Sequence, residues 1–540
     1  DLIRKLVPDS FDEIVALVAL FRPGPLESGM VQTYIDCKHG REPVRYPHPA
    51  LELILKPTYG VILYQEPVMQ IAQELAGYTL GAADLLRRAM GKKKPAEMAK
   101  QRIIFVEGAM ENGVDEDVAN LIFDQMETFA GYGFNKSHSA AYALIAYQTA
   151  WLKAHYPSHF MAAVLSSDMD NTDKVDEFIH ECRDIELTVL PPDINHSHHA
   201  FTVVDDNTVR YGLGALKGVG HAAIDMIEME RAANGAFTDL SNFCNRVDHH
   251  KVNKRAMDVL ARSGALDALD SDGNRARMLH ELPEAVQAAE QYQRDKESGQ
   301  VDLFGNMSQA SAPHMAEHQA IRPWTRLQEL QAEKSTLGLY LTGHPVELQA
   351  DDLARFTTCT LGSVGDRMPA QDKGRRQGTP MVLAGLVRAV RRRGSRGGFV
   401  AIEDHTGRIE TALFDETWTL YAELVNKDEI IVVEGRASTD DFSGGYRMTA
   451  QKVMTLSEAK ARFAKGVQIS LRGPGEDICS SLQSTFVPYQ NGSGKVWLNY
   501  SNKRARARLE LGDEWGVKAC EELVAALGEL DAVSDARLVY

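Results

Sequence analysis

Seven of the sixteen residues from Arg87 to Arg102 are basic: Arg87, Arg88, Lys92, Lys93, Lys94, Lys100 and Arg102, with Glu97 the only acid among them. Lysine meets phosphate oxygens as a point charge and arginine as a bidentate fork, so such a cluster suits a phosphate-rich ligand. The bland alternative is a solvated helix face, where charge runs are common. Arg87 and Arg88 lie off the apolar stripe Ala82, Leu85, Leu86 and Ala89 and should face outward. Further on, Gly131-Tyr132-Gly133-Phe134-Asn135-Lys136-Ser137-His138-Ser139 feeds a helical pattern, with Ser137 as its expected N-cap. A glycine-rich turn at a helix N-terminus offers N–H groups and a positive dipole end to an anion. Lys136 adds charge, and Tyr132 and Phe134 could stack on a base; the alternative is a capped helix with two core aromatics. The G-x-x-x-x-G-K-[ST] spacing of a Walker A loop is absent.

Three more clusters point toward polyanions or partners. Lys217-Gly218-Val219-Gly220 precedes a helical pattern and resembles the hairpin of a helix-hairpin-helix, which holds DNA backbone through main-chain N–H groups and a nearby lysine. Ser263-Gly264-Ala265-Leu266 looks like a degenerate second copy, with Lys251, Lys254 and Arg255 close by. Arg388, Arg391, Arg392, Arg393 and Arg396 crowd the join between two expected strands, with Phe399 and Phe414 as stacking residues. Gln300-Val301-Asp302-Leu303-Phe304 sets two apolar residues in a polar stretch, the pattern of a docking peptide. Two possible metal sites are weak. Asp168-Met169-Asp170 reads as capping acids before a helix, and His196, His198 and His199 with Cys182 lack a recognised ligand spacing. No Ser/His/Asp set stands out, so no catalytic or metal-ligating residue is assigned.

The elements that must position these groups divide the chain of 540 residues into five regions. Residues 1–200 are mostly helical, as in the i, i+3, i+4, i+7 spacing of Val68, Ile71, Ala72 and Leu75. Residues 201–290 open with a β-pair, 201–204 and 208–211, then return to helix around the two hairpins. Residues 291–375 are polar and read as a linker around the docking peptide. Residues 376–457 carry five short strands with a helix between the third and fourth, the order of an OB-fold. Residues 458–540 mix strands and a helix as a small α+β domain. The fold class is therefore multidomain α+β. The formal charge of −16 excludes a protein coated in basic surface but not local cationic patches. No apolar run approaches the ~20 residues of a membrane span. Six scattered cysteines without a C-x-x-C pair fit a reducing cytoplasm. The chain opens on Asp1 and reads as a piece of a longer protein.

Several long motifs together resemble one family. Phe21-Arg22-Pro23-Gly24-Pro25, Leu63-Tyr64-Gln65-Glu66, Leu86-Arg87-Arg88-Ala89-Met90-Gly91-Lys92-Lys93-Lys94 and the 131–139 turn are similar to the fingers of the bacterial DNA polymerase III alpha subunits, the C family of DNA polymerases. Leu337-Gly338-Leu339-Tyr340-Leu341-Thr342-Gly343-His344-Pro345 and Asp441-Phe442-Ser443-Gly444-Gly445 also resemble that family, in the same order. The resemblance implies a replicative DNA polymerase whose mostly α-helical fingers (1–200) bind template and incoming nucleotide, with Arg87, Arg88, Lys136, Ser137 and His138 on the triphosphate. Tandem helix-hairpin-helix motifs (201–290) would hold duplex DNA through Lys217, Gly218, Gly220, Lys254, Arg255 and Gly264, with Lys92, Lys93 and Lys94 as further DNA contacts. Gln300, Asp302, Leu303 and Phe304 would bind the beta sliding clamp. The OB-fold would meet single-stranded template through Arg391, Arg392, Arg393 and Arg396. The C-terminal domain would bind the clamp-loader tau subunit, among the other subunits of the polymerase III holoenzyme. The family's catalytic aspartates and their Mg2+ belong to a palm domain upstream of the fingers, so this chain is expected to bind primed DNA and dNTP without extending the primer. The rival expectations are a non-catalytic scaffold tying DNA to a clamp, and a damage-tolerant paralogue of the same family.

Overall fold

The computed structural model describes residues 2–92, 95–130, 133–297, 321–368, 378–394, 397–440, 445–472, 478–501 and 506–540. The chain divides into two compact units, Asp1–Ala163 with Asp205–Asn207, and Val164–Val204 with Thr208–Tyr540.

The first unit is helical. In helix Gln65–Ala76 the stripe Val68, Ile71, Ala72 and Leu75 is buried, as the spacing requires. It packs with helices Leu80–Lys92, Pro95–Glu111 and Glu116–Ala130 around Leu86, Phe105, Ile122 and Phe123. A second core gathers Leu17 and Leu20 from helix Phe11–Leu20, Tyr34 and Ile35 from helix Met30–Lys38, and Ala143 from helix Lys136–His155. A short bridge between Tyr64 and Phe134 ties the start of Gln65–Ala76 to the turn before Lys136–His155.

In the second unit, helix Thr172–Asp184 leads into a small sheet of β1 (Thr188–Leu190), β2 (Thr202–Asp205) and β3 (Thr208–Arg210) in the order β1-β3-β2, with β1 parallel to β3. The expected β-pair is β2 and β3; β1 is a third strand that the pattern did not announce. Helices His221–Asn234, Leu240–Arg246, Lys254–Arg262 and Arg275–Glu297 follow. Asn253 caps Lys254–Arg262 by accepting from the Ala256 N–H at 3.0 Å.

A closed barrel comes next: β4 (Thr379–Arg392), β5 (Gly397–Glu403), β6 (Arg408–Phe414), β7 (Ile430–Thr439) and β8 (Tyr446–Thr455), in the order β4-β5-β6-β8-β7. Helix Asp415–Tyr421 sits between the third and fourth strands. Alternate residues Leu383, Val387, Val400, Ile402, Ile409, Leu413, Ile431 and Val433 fill its interior, which is what a period of two dictates for a closed sheet. The last sheet has the order β11-β10-β9-β12, from β9 (Gly466–Arg472), β10 (Gln490–Ser501), β11 (Arg506–Glu510) and β12 (Val533–Val539). Helices Ile478–Phe486 and Glu521–Gly528 cover it.

The region 291–375 departs from the loose linker its composition implies. Helix Arg275–Glu297 runs into its first residues, and helix Arg326–Leu337 is closed by a capping box at Thr325 and Gln328. Leu330, Tyr340, Val346 and Leu353 pack against Leu386, Val432 and Met454 of the barrel. The polar residues that made the stretch look solvated, among them Glu333, Thr336 and His344, are buried and hydrogen-bonded within the protein.

Candidate nucleic-acid interface

The first cluster is built on two residues of Leu63-Tyr64-Gln65-Glu66. Arg87 donates to Asp84 Oδ1 from Nε at 2.9 Å and Nη2 at 2.7 Å, and to Gln65 Oε1 from Nη1 at 3.0 Å. Arg88 meets the other Asp84 oxygen at 2.8 Å and remains largely exposed. The Arg87 hydrogen bond holds the Asp84 carboxyl below the usual range, with both guanidinium charges adding to it. Gln65 in turn donates to the Gly133 carbonyl at 3.1 Å, while the Glu66 carboxylate accepts from the Lys136 N–H at 3.0 Å. Gln65 and Glu66 therefore hold the Arg87 pair and the 133–138 turn side by side.

At that turn the N-cap is Asn135 and not Ser137: its side chain accepts from the His138 N–H at 2.8 Å. A cap at 135 starts the helix earlier and leaves Lys136, Ser137 and His138 exposed on its first turn. The Ser137 N–H and hydroxyl have no partner among the described residues. His138 stacks on Tyr142 at 4.6 Å and meets Phe134 edge-on at 5.1 Å. Phe134 is covered by the Arg22 guanidinium at 4.2 Å, so it is a packed platform. The arrangement is a positive helix end with a free donor, one exposed lysine and two oriented arginines, which can neutralise and orient a chain of phosphates. Lys92 closes its helix, while Lys93 and Lys94 lie outside the described residues, as does Tyr132.

In the second unit the first hairpin keeps the predicted form. Gly218 takes a left-handed φ of 106°, and Gly220 is the N-cap of His221–Asn234 with no side chain over the helix end. The Gly218 and Gly220 N–H groups have no acceptor among the described residues, and Lys217, Gly218 and Gly220 are exposed. The Gly264 corner is different. Gly264 is buried and its N–H donates to the Ala261 carbonyl at 3.2 Å, while the Ala265 N–H donates to Leu260 at 3.0 Å. The Gly264 and Ala265 N–H groups are therefore not free for a phosphate; Lys254 and Arg255 remain exposed next to this corner.

In the barrel, Arg388 is part of β4 and not of the connection after it. It pairs with Asp176 and with Glu403 Oε2, the latter at 3.0 Å, and is unavailable to a ligand. Arg391 is 73% exposed, pairs with Glu410 and lies 6.0 Å from the Phe399 ring. Arg392 and Arg393 are exposed without an ion-pair partner among the described residues. Phe399 and Phe414 meet edge-on at 5.7 Å beside them. Arg396 lies outside the described residues, as do Gln300, Asp302, Leu303 and Phe304.

Asp168 and Asp170 stand in a turn before helix Thr172–Asp184, which Asn171 caps. Among the described residues, Asp176, His180 and Glu403 bring ligating atoms within 4.8 Å of one another. Arg388 already supplies the cation there, so this set does not fit a pair of Mg2+ ions. Burial pushes the His180 imidazole below its ordinary value. Nothing in the residue pattern marks Asp84, Gln65 or Glu66 as supports; the motif holding Gln65 and Glu66 is visible, but the Gln65 contact depends on a turn 68 residues away.

A cation-lined helical unit, a free glycine hairpin and a closed barrel with a basic strand end together define a nucleic-acid-binding chain. Residues 1–113 match the bacterial DNA polymerase III alpha subunit finger domain, and 186–278 match a helix-hairpin-helix motif. Residues 381–456 match an OB-fold nucleic acid binding domain, and 481–530 the DNA polymerase III subunit alpha C-terminal domain. The chain is 48% identical over 541 residues to the DNA polymerase III subunit alpha of Vibrio cholerae, covering 98% of this chain and 46% of that protein. It is 47% identical to that of Pseudomonas aeruginosa, covering 98% of this chain and 46% of the relative, and 47% identical to that of Escherichia coli K12, covering 97% and 45%. The chain belongs to the family of bacterial DNA polymerase III alpha subunits, and it spans about half the length of the curated relatives it matches. Among the described residues no helix is long and apolar enough to cross a membrane.

Proposed function

We propose that this chain is the part of a replicative DNA polymerase that grips primer–template DNA and the incoming dNTP. The observation that carries the proposal is the pairing, through Gln65 and Glu66, of the Asp84-held Arg87 with the open N-terminus of Lys136–His155. In this reading Arg87, Arg88, Lys136, Ser137 and His138 orient the triphosphate. Held arginines lose little freedom on binding, so their charge is available where negative charge grows as the nucleotide reacts. The Gly218–Gly220 N–H groups and Lys217 grip duplex backbone, with Lys254 and Arg255 beside them. Arg391, Arg392 and Arg393 meet single strand, with Phe399 and Phe414 as stacking surfaces.

The Mg2+ ions of nucleotidyl transfer belong, in this proposal, to a palm domain outside the described residues. When bound there they activate the primer 3′ oxygen and stabilise the leaving pyrophosphate. The chain by itself therefore binds and does not extend. Gln300, Asp302, Leu303 and Phe304 dock in a pocket of the beta sliding clamp, and the sheet-and-helix domain after residue 458 meets the clamp-loader tau subunit, with other holoenzyme subunits beyond it. A cytoplasmic site agrees with six cysteines none of which forms a disulfide. Relatives named DNA polymerase III subunit alpha support this reading over a scaffold.

The test is equilibrium binding of the purified chain to a primer–template, together with a primer-extension assay. Binding that strengthens with the matching dNTP, and loses that gain in Arg87→Ala/Arg88→Ala, is expected. Extension by the chain alone, or no DNA binding at low salt, contradicts the proposal.

A further inference from the structure

The motif 337–345 takes no part in any cluster described above, yet its surroundings link helix Thr172–Asp184, the two hairpins and the barrel. Helix Arg326–Leu337 ends at Gly338, whose φ is 81°. A Cβ there would come within 2.1 Å of Thr172 Cγ2 and 3.1 Å of Lys217 Nζ, so the helix end presses on both helix Thr172–Asp184 and the first hairpin. The Lys217 N–H donates to the Thr336 carbonyl at 3.2 Å. Arg183 donates to the Tyr340 and Leu341 carbonyls at 3.1 and 3.2 Å.

One carboxylate ties the motif to the second hairpin. Glu333, 1% exposed, accepts from the Thr342 N–H at 3.1 Å and its hydroxyl at 2.6 Å. It also faces Arg275 at 3.6 Å, and Asp267 grips that arginine beside Gly264. Arg326 adds two bonds to Thr342, to its carbonyl at 2.6 Å and its hydroxyl at 2.8 Å.

The far end of the motif reaches the barrel. His344, 5% exposed, accepts from the Val346 N–H at 3.3 Å through Nδ1, and its Nε2 lies 4.0 Å from Glu403 on β5. Glu403 pairs with Arg388 of β4, the strand that ends in Arg391 and Arg392. Tyr340 and Val346 pack on Leu386 and Val432 of the barrel wall.

We propose that residues 326–345 are a clasp that fixes the first hairpin and the barrel as one rigid body, so that duplex and single strand of the same molecule are bound together. The inference rests on the DNA-binding reading above, and adds that the two modules are coupled. Rigidly linked sites bind a ligand that spans both with an effective concentration far above that of independent sites. Glu333, Thr342 and His344 are then positioning residues that touch no nucleic acid.

The experiment compares three probes on the whole chain at one salt concentration: a duplex with a 5′ single-stranded overhang, the duplex alone and the single strand alone. The overhang duplex should bind about 100-fold tighter than the better of its parts. Glu333→Gln/Thr342→Val should lower that affinity about tenfold while each part binds within about twofold of the native chain. Should the variant fail to fold, the native three-probe comparison decides alone. An overhang duplex that binds no tighter than its parts, or a folded variant that binds it unchanged, overturns the clasp. Absence of binding by either part alone would instead overturn the DNA-binding reading and the clasp with it.

Discussion

Replacing Glu403 with Gln removes one charge from the junction between barrel and clasp. The carboxylate is 5% exposed, accepts from Arg388 Nη1 at 3.0 Å and lies near His344 Nε2. Burial alone would raise its pKa, but the nearby His344 ring and the hydrogen bond and charge of Arg388 bring it from an ordinary 4.5 to about 2. At about 1.36 kcal/mol per pH unit, that difference corresponds to about 3 kcal/mol. The cost of breaking a buried ion pair by removing one partner, about 3–5 kcal/mol, agrees with it. Because the folded pKa lies below the unfolded one, the contribution is fully present above pH 4.5 and is lost as pH falls through about 2. Urea unfolding with Trp418 as the barrel's reporter measures this; the same curves in Trp418→Phe identify its signal. Trp418 is buried and would lie 2.5 Å from a Cβ on Gly398 of β5, so it reads the barrel closely. Native chain and Glu403→Gln should differ by about 3 kcal/mol at pH 7 and converge toward pH 2. A gap below about 1 kcal/mol at pH 7, or one that stays constant between pH 5 and pH 2, would refute the reasoning.

Three other outcomes are expected. Arg392→Gln/Arg393→Gln should lower the magnitude of the salt slope for single-strand binding by about 1.4, since each lost phosphate contact is worth about 0.7; titrations from low to high salt check this, and an unchanged slope rules the strand end out as a contact. Gly264→Ala should destabilise the hairpin domain by at least about 2 kcal/mol, because a left-handed φ is strained for alanine and the new Cβ would displace the buried Arg275; limited proteolysis of the 201–290 region reads the loss. Phe304→Ala should weaken clamp binding by about 2 kcal/mol or more and leave DNA affinity alone; a clamp titration with equal affinity for both forms would count against the docking peptide.

How much the sequence reveals depends on the range of the forces involved. The barrel is legible because a closed sheet obliges inward and outward residues to alternate, and Gly398–Glu403 and Arg408–Phe414 show that alternation without reference to anything distant. The strand β1 is three residues long, too short to show a period, and exists through its pairing with β3. Ser137 and Asn135 are both good caps, and the choice between them is made by Glu66, which takes the Lys136 N–H from 70 residues away. Arg388 reads as one of a loop cluster because charge is visible in sequence and ion pairs are not; Asp176 and Glu403 withdraw it. The 321–368 segment is the largest departure. Buried Glu333, Thr336 and His344 look like solvent-facing residues in sequence, but Glu333 faces Arg275, His344 faces Glu403 and the Thr336 hydroxyl donates to carbonyls of its own helix. At the candidate site the cations themselves were legible, and the residues that aim them were not.

Hydrogen exchange of the chain with and without a primer–template is the most direct test of the central claim. The account predicts slowed exchange at residues 133–140, at the Gly218–Ala222 hairpin and at the β4–β5 end around Arg391–Val400. Slowed exchange confined to other surfaces, with those three segments unchanged, would contradict it.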